Sequence, residues 1–254
     1  MNAAHPQLAI IGGTGLYRMV DIAAADRRVL TTPYGDPSSA VVIGDIAGVS
    51  VAFLTRHGDP HTHAPHRVNY RANIHALKTL GVRRIIAVNA VGGIAPWAGP
   101  GVLAATDLLI DYTHGRLSSF SDVEGAKVEH IDLTDPYTPS LRQALLAGAA
   151  EVGEALHNGG VLGVTQGPRL ETRAEIERLR RDGCDLVGMT SLPEAALARE
   201  AGIDYAGLAV VANWAAGCGP DAVIGMAEIE ATLVEAMQRA QKVLSAALQA
   251  IGRS

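Results

Sequence analysis

The sequence has few cysteines and no long apolar run, and each absence argues against a class of protein. The two cysteines, Cys184 and Cys218, are far apart and form no CxxC pair, so neither a disulfide framework nor a zinc ribbon is indicated. No stretch approaches the length of a membrane span, and residues 1–8 have neither the basic region nor the apolar run of a signal peptide. We therefore expect a cytoplasmic protein that does not bind membranes.

Positive charge is also scarce. The 21 Lys and Arg residues are outnumbered by 26 Asp and Glu, which gives a net charge of −5. No basic stripe is available to contact a phosphodiester backbone, so nucleic acid is not an expected partner. Hydrophobic residues, by contrast, make up 48% of the 254 positions, which is enough to build a substantial core. We expect a single domain over residues 1–254.

Short apolar runs alternate with segments of helical period, and this pattern predicts an α/β fold. The predicted strands cover residues 7–11, 41–46, 49–54, 84–90, 103–111, 161–165, 185–189 and 205–212, and the predicted helices cover 66–80, 140–157, 170–181, 192–200 and the residues from 226 onward. Between them, residues 112–128 contain scattered glycines and serines with few apolar anchors. That segment is predicted to be a long loop.

Glycine turns and polar side chains follow several of these strands. The Gly12-Gly13-Thr14-Gly15 turn exposes N–H groups that can hold a phosphate, with Thr14 adding a hydroxyl, although a tight strand exit explains the same residues equally well. Arg56 and His57 place a fixed cation beside a titratable donor, which suits an oxyanion. Asn89 ends a strand at a second glycine turn, where it is either a turn former or a ligand. We favour an anion site because the turn and the Arg-His pair supply two sets of donors.

The spacing of His61, His63 and His66 raises the question of a metal site. No cysteine lies near these histidines, Asp59 is the only nearby carboxylate, and two prolines interrupt the run. Zinc sites usually combine such histidines with cysteine or carboxylate ligands. A polar loop is the preferred interpretation, and we expect no metal ion.

Six motifs along the chain resemble the methylthioadenosine phosphorylase and purine nucleoside phosphorylase family. They are IIGGTG at 10–15, TRHG at 55–58, VNYRAN at 68–73, NAVGG at 89–93, QGPRLETRAE at 166–175 and GMTSLPE at 188–194. The resemblance implies a mixed central β-sheet flanked by helices, and a homotrimer with sites near the subunit interfaces. It also implies phosphate-dependent cleavage of an N-glycosidic bond, with inorganic phosphate as a co-substrate and with no metal or organic cofactor.

The resemblance also assigns roles to individual residues. The residues that it places around the phosphate are Thr14, Arg56, His57, Asn89, Ala90 and Thr190. Met189 is expected to pack against the ribose and to bond it through its backbone, and His130 to approach the 5′ end of the sugar. Leu170 takes the place of an aromatic residue that stacks on the nucleoside in many relatives. Asn89 stands where the family often has threonine or another small residue.

Base recognition and its contribution to catalysis are expected to depend on Glu171 and Asn213, with Leu170 and Ala215 beside them. Glu171 can accept from the N1–H of a 6-oxopurine, and the Asn213 amide can accept from a protonated N7 and donate to the oxygen at C6. Phosphorylases of the 6-oxopurine type have this pair at matching positions. Taken singly, Glu171 is better explained as a first-turn helix residue and Asn213 as a turn former. Together, on the two loops where this family reads the base, they favour base recognition.

The expected substrate combines a hypoxanthine-type base with the 5′-methylthio sugar of the methylthioadenosine branch. It is S-methyl-5′-thioinosine, which phosphorolysis converts to hypoxanthine and 5-methylthioribose 1-phosphate in purine salvage. The alternatives are a 6-oxopurine nucleoside phosphorylase acting on inosine or guanosine, and a methylthioadenosine phosphorylase. A nucleoside-binding protein without activity is a further alternative, against which the set of phosphate residues argues.

Overall fold

The computed structural model describes residues 6–13, 25–220 and 225–253, which form a mixed β-sheet flanked by helices. The described strands are β1 (Leu8–Gly12), β2 (Asp26–Arg28), β3 (Val41–Ile46), β4 (Val49–Thr55), β5 (Arg84–Gly93), β6 (Leu103–Ala105), β7 (Leu108–Asp111), β8 (His157–Asn158), β9 (Val161–Val164), β10 (Leu186–Gly188) and β11 (Asp204–Trp214). The described helices are α1 (Tyr70–Thr79), α2 (Pro139–Glu151), α3 (Arg173–Arg181), α4 (Ser191–Glu200) and α5 (Met226–Gly252). The expected α/β architecture is therefore confirmed.

Strand β5 is the branch point of the sheet. The main path runs β2-β3-β4-β1-β5-β10-β9-β7, while β11 leaves β5 to pair with β6, and β6 pairs with β8. Strand β5 is parallel to β1 and β11, but its last two residues pair antiparallel with β10. One strand can have three partners because β11 pairs along the whole of one edge, whereas β1 and β10 pair with opposite ends of the other edge. The ends of β5, β10 and β11 consequently meet at one place.

Both faces of the sheet are covered, as a strand buried on two sides requires. Alternate residues of β1 point in opposite directions, so Ala9 and Ile11 join one core cluster while Leu8 and Ile10 join the other. Helices α1 and α4 pack together, and residues of both belong to the first cluster. Helices α2 and α5 likewise pack together and contribute to the second cluster.

Several predicted elements are confirmed, and the hairpin is the clearest. Strands β3 and β4 pair antiparallel up to Ile46 and Val49, as expected for a tight connection. Ala47 and Gly48 both have positive φ angles, of 53° and 83°. This backbone is that of a two-residue hairpin turn, whose twist matches that of the flanking strands.

Four predicted boundaries are wrong. The helix predicted over 66–80 begins at Tyr70, after a short 3₁₀ turn at Pro65–Arg67. The single strand predicted over 103–111 is two strands, because the chain leaves β6 after Ala105 and β7 pairs with β9 instead of β11. The helix predicted to reach His157 ends at Glu151, and His157 begins the short strand β8. The helix predicted from residue 170 begins at Arg173.

The late start of α3 has a local cause. The Thr172 side chain accepts from the backbone N–H of Glu175, and the Glu175 carboxylate accepts from the backbone N–H of Thr172. This reciprocal capping box satisfies two N–H groups that the first helical turn leaves unpaired. Glu171 therefore lies before the helix and is not a first-turn residue.

Helix α5 is the longest described helix, with 27 residues. Its buried side chains, among them Ala240, Leu244 and Leu248, belong to the second core cluster. Across the parts of the chain that the structure describes, no helix combines the length and the apolar character needed to span a membrane.

Candidate active site

A cavity of about 1020 Å³ opens where β4, β5, β10 and β11 end. Its size is at the upper end of the range for small-molecule sites. Ten of the residues singled out in the sequence line it, namely Arg56, His57, Asn89, Ala90, Leu170, Glu171, Met189, Thr190, Asn213 and Ala215. Thr14 lies outside the described residues. His130 is exposed on the segment between β7 and α2 and is not part of the cavity wall.

Arg56 is held by a buried ion pair that the sequence analysis missed. Its Nε donates to Glu194 Oε2 at 2.7 Å and its Nη2 to Glu194 Oε1 at 2.8 Å, and the two side chains are 3% and 0% exposed. A third N–H bonds the Val88 carbonyl at 3.1 Å. Burial opposes the charge, but the Glu194 carboxylate raises the pKa of Arg56 above its ordinary value. The guanidinium is therefore a permanent cation, and two of its five N–H groups remain for a ligand.

Glu194 is in turn held by Tyr205. The Tyr205 hydroxyl donates to Glu194 Oε1 at 2.9 Å, and both side chains are buried. A carboxylate with no exposure needs such partners, because an unpaired buried charge is very costly. The available sequence signal was a single acid within the otherwise apolar start of α4.

His57 lines the cavity with its ring proton on Nδ1. Its Nδ1 lies 2.8 Å from the carbonyl oxygen of His63, and because a carbonyl only accepts, Nδ1 carries the proton. Burial lowers the pKa of His57 to about 4, and the Arg56 charge adds to this effect. The neutral ring therefore has Nε2 as an acceptor near pH 7, and it stacks on His61 at a centroid distance of 4.3 Å.

Asn89 and Thr190 contact each other between the ends of β5 and β10. The Thr190 hydroxyl donates to Asn89 Oδ1 at 3.1 Å, and Asn89 Nδ2 donates to the Ser191 hydroxyl at 3.3 Å. All three side chains are buried. These bonds fix the amide orientation and leave one N–H of Asn89 for a ligand.

Glu171 and Asn213 line the same cavity as Arg56. The Thr165 hydroxyl donates to Glu171 Oε1 at 2.5 Å. The interpretation of Glu171 as a first-turn dipole residue is wrong, because Glu175 occupies the first turn of α3. The carboxylate is instead oriented by the Thr165 hydroxyl, which bonds its Oε1.

A β-bulge in β11 immediately precedes Asn213. Val211 pairs with Val91, but the next paired residue is Asn213, which is opposite Gly92. The additional residue, Ala212, changes which face of the strand the following side chains occupy. Asn213 Nδ2 donates to the Trp214 carbonyl at 2.6 Å, so one of its two N–H groups remains available.

Met189 and the N-terminal half of α5 form the apolar part of the wall. Gly167 has a φ of +59°, and a Cβ at that position would lie 2.5 Å from Met189 Sδ, so glycine allows the Met189 side chain to lie against this turn. Leu170 lines the rim and is 45% exposed. From α5 the cavity is lined by Leu233 and Met237, together with Ile229 and Val234.

The histidine run shows no metal-ligand geometry. Among the described residues, no group of three or more His, Cys, Asp or Glu side chains is arranged to hold a metal ion. His61 stacks on His57, and the His63 backbone accepts from it. These contacts use the loop to orient His57.

Residues 7–249 match the family model described as Phosphorylase superfamily, and the chain belongs to this superfamily of enzymes. It is 55% identical over 229 residues to the "Probable S-methyl-5'-thioinosine phosphorylase" of Xanthomonas campestris pv. campestris, covering 90% of this chain and 92% of the relative. It is 44% identical over 241 residues to the 6-oxopurine nucleoside phosphorylase of Pyrococcus furiosus, covering 92% and 87%. The nucleoside phosphorylase resemblance is thereby confirmed, and the protein is a pentosyltransferase.

The fold agrees with that assignment. A solved structure of methylthioadenosine phosphorylase from Schistosoma mansoni, in complex with adenine, superposes with a TM-score of 0.92 at 29% identity. The match covers 98% of this chain and 93% of the other. The mixed sheet with its flanking helices is therefore the architecture of this family.

Proposed function

We propose that the protein uses inorganic phosphate to cleave S-methyl-5′-thioinosine, giving hypoxanthine and 5-methylthioribose 1-phosphate. The observation that carries the proposal is that Glu171 and Asn213 line the same cavity as Arg56, His57 and Thr190. A base-recognition pair and a set of anion donors thus share one space. The Xanthomonas relative named for this substrate supports the same choice.

In this mechanism the phosphate is held below C1′ of the ribose. The transition state separates an oxocarbenium-like sugar from the leaving purine, so an anion fixed beneath the sugar stabilises the developing positive charge. Arg56 and Asn89 donate to the phosphate, together with Thr14 and the Ala90 backbone, and Thr190 joins them when its hydroxyl hydrogen turns from Asn89 Oδ1 to the anion. His57 Nε2, which is an acceptor on the neutral ring, takes a hydrogen bond from a protonated phosphate oxygen.

The base is recognised by Glu171 and Asn213, which also stabilise the leaving purine. The Glu171 carboxylate accepts from N1–H of hypoxanthine, and Asn213 bonds N7 and the C6 oxygen. Adenine has a lone pair at N1, so its binding would leave Glu171 without that partner. Mismatches of this kind discriminate by roughly 10⁴-fold. Leu170 and Ala215 supply apolar contact to the ring.

The sugar pocket favours the methylthio group. The cavity wall contributed by α5 contains Leu233 and Met237, whose apolar side chains suit a thioether, and Gln238 and Gln241, which are the polar groups there for a 5′-hydroxyl. Met189 contacts the ribose. A difference of one small group supports a preference of only ~10- to 200-fold, so we expect inosine to be a slower substrate.

The active enzyme is proposed to be a cytoplasmic homotrimer of single-domain subunits that needs no metal or organic cofactor. Leu117, Val123 and Val128 are exposed by 55%, 46% and 66% on the same segment as His130. A subunit interface would cover these side chains and would bring His130 toward the sugar of a neighbouring site. Sedimentation equilibrium at micromolar concentration measures this mass, and a monomer with full activity would contradict the proposal.

The function is tested by comparing three nucleosides. We expect phosphate-dependent release of base to be fastest in kcat/KM for methylthioinosine, slower for inosine, and slowest for methylthioadenosine. Base release is followed by chromatography with and without phosphate. Equal or faster turnover of methylthioadenosine would refute the base assignment, and nucleoside binding without any phosphate-dependent release would refute the enzymatic role.

A substitution on β11 tests the base contact directly. Asn213→Asp is expected to raise the activity ratio of methylthioadenosine to methylthioinosine by ~10-fold or more, because a carboxylate accepts from the 6-amino group and repels the 6-oxygen. Asn158→Asp, on the short strand β8, adds the same charge away from the cavity lining and serves as the control. An unchanged ratio in Asn213→Asp would show that this residue does not contact the base.

A further inference from the structure

Arg116 lies outside the catalytic cavity lining, on the irregular segment between β7 and α2, but its guanidinium bonds the backbone that forms the cavity. Nη1 donates to the carbonyls of Met189 at 2.9 Å and Leu192 at 2.7 Å. Nη2 donates to the carbonyls of Thr165 at 3.1 Å and Gln166 at 2.9 Å. One side chain therefore joins four backbone carbonyls from two separate segments.

The remaining contacts of Arg116 fix the plane of the guanidinium. Its Nε donates to Gln166 Oε1 at 3.1 Å, and the group lies over the Tyr70 ring at 5.6 Å from the centroid. Gln166 itself is fixed from the other side, because its Nε2 donates to the His114 carbonyl at 2.9 Å. The planar fork of arginine matches such a set of acceptors, whereas the ammonium of lysine offers its donors from a single atom.

Three of the four carbonyls lie just beyond paired strands, those of Thr165 and Gln166 after β9 and that of Met189 after β10, while Leu192 lies in the irregular first turn of α4. Strands β9 and β10 pair as far as Val164 and Gly188, and the Thr165 N–H still bonds the Gly188 carbonyl at 2.8 Å. Beyond this point the segments that follow β9 and β10 diverge. The first leads to Glu171 and the second to α4. Backbone carbonyls at such a divergence need donors, and Arg116 supplies them.

We propose that Arg116 is a positioning residue for the base and ribose end of the site. It holds the Thr165 backbone, whose hydroxyl orients Glu171, and the Met189 backbone, which contacts the ribose. This inference rests on the proposed function, because it uses the roles assigned there to Glu171 and Met189. At the phosphate end, Arg56 is fixed by Glu194 without help from Arg116, although the Met189 and Leu192 carbonyls that Arg116 holds flank Thr190.

Arg116 supports the base and ribose end of the site more than the phosphate end, and this difference can be measured by kinetics. Arg116→Ala is expected to lower kcat/KM for methylthioinosine by ~100-fold, since displacement of a positioned group by about 1 Å costs that much. It is also expected to lower the preference for methylthioinosine over methylthioadenosine by ~10-fold, because Glu171 loses its fixed position. The KM for phosphate, measured at saturating nucleoside, is expected to rise less than the KM for methylthioinosine, because Arg56 keeps its Glu194 partner.

Arg142→Ala is the matched control. Arg142 also donates to two backbone carbonyls, those of Thr106 at 3.0 Å and Ala105 at 3.1 Å, but it is not part of the cavity wall. We expect this variant to lose thermal stability without a change in base preference. If Arg142→Ala changes the base preference as much as Arg116→Ala does, Arg116 is only structural and the proposal is wrong. The same holds if Arg116→Ala raises the KM for phosphate as much as the KM for methylthioinosine.

Arg116→Lys covers the case in which the alanine variant does not fold. It keeps the charge but not the fork, and we expect it to show the same loss of base preference. Full retention of the preference in Arg116→Lys would overturn the proposal. Failure of the proposed function is seen separately, in the unaltered enzyme, as the wrong order of the three nucleosides. The KM for nucleoside and the KM for phosphate are then compared with whichever nucleoside is cleaved.

Discussion

Glu171→Ala is expected to reduce kcat/KM for methylthioinosine by ~100-fold while raising methylthioadenosine cleavage, because adenine no longer leaves a carboxylate unpaired. Hydrogen bonds to a charged group contribute about 1.5–3 kcal/mol, and the purine N1–H loses its acceptor in this variant. Adenine has no hydrogen at N1 and loses nothing. Steady-state rates with both nucleosides at saturating phosphate measure the two effects, and the ratio of kcat/KM values isolates base recognition.

The control for Glu171→Ala is Glu175→Ala, four residues later in the chain. Glu175 closes the capping box of α3 and pairs with Arg169 at 2.6 Å, but it does not line the catalytic cavity. Its loss weakens the start of α3 without removing a base contact. If both variants lose the same activity, the effect comes from the helix start and Glu171 has no direct role.

Arg56→Ala is expected to destabilise the fold and to weaken phosphate binding together. The substitution leaves the Glu194 carboxylate, which is 0% exposed, without its bidentate partner, and breaking a buried pair in this way costs about 3–5 kcal/mol. The free energy of unfolding, measured in urea, reports this loss. We also expect the KM for phosphate to rise by ~10- to 100-fold, since charge-assisted bonds to the anion are removed.

A double variant separates these two effects. In Arg56→Met with Glu194→Gln no buried charge remains, and the glutamine oxygen still accepts from the Tyr205 hydroxyl. We expect this variant to recover at least half of the lost unfolding free energy, because apolar replacement of a buried pair is often close to neutral. The KM for phosphate should stay high. Recovery of phosphate binding along with stability would mean that Arg56 supports the fold without contacting the anion.

The elements that the sequence predicted best are those with local signals. The hairpin of β3 and β4 and the apolar strands β5 and β11 follow from short apolar runs ended by glycine or polar residues. The strand predicted over 103–111 was wrong because two short apolar runs were joined across Thr106 and Asp107. These two polar residues stand where the chain changes its strand partner.

The sequence also predicted some residues of the candidate site and missed others. Residues at strand ends were predicted because parallel strands bring their carboxyl ends to one edge of a sheet, and Arg56, Asn89 and Thr190 do line one cavity. Glu194 and Arg116 were missed because their partners are distant in sequence, 138 residues in the case of Arg56 and Glu194. The bulge at Ala212 was also missed, because it depends on how β11 meets β5 and not on the sequence of β11 alone.

The pairing of β5 with β11 also governs when a newly made chain can first bind its ligand. The two strands come from opposite halves of the sequence, and Asn213 is supplied by the later one. Contacts between such distant segments form late, because loop closure must precede them. We therefore expect nucleoside not to stabilise intermediates that end before Trp214, since the proposed base contact of Asn213 is missing from them. Ligand-dependent protection from proteolysis would mark the moment at which this central pairing is complete.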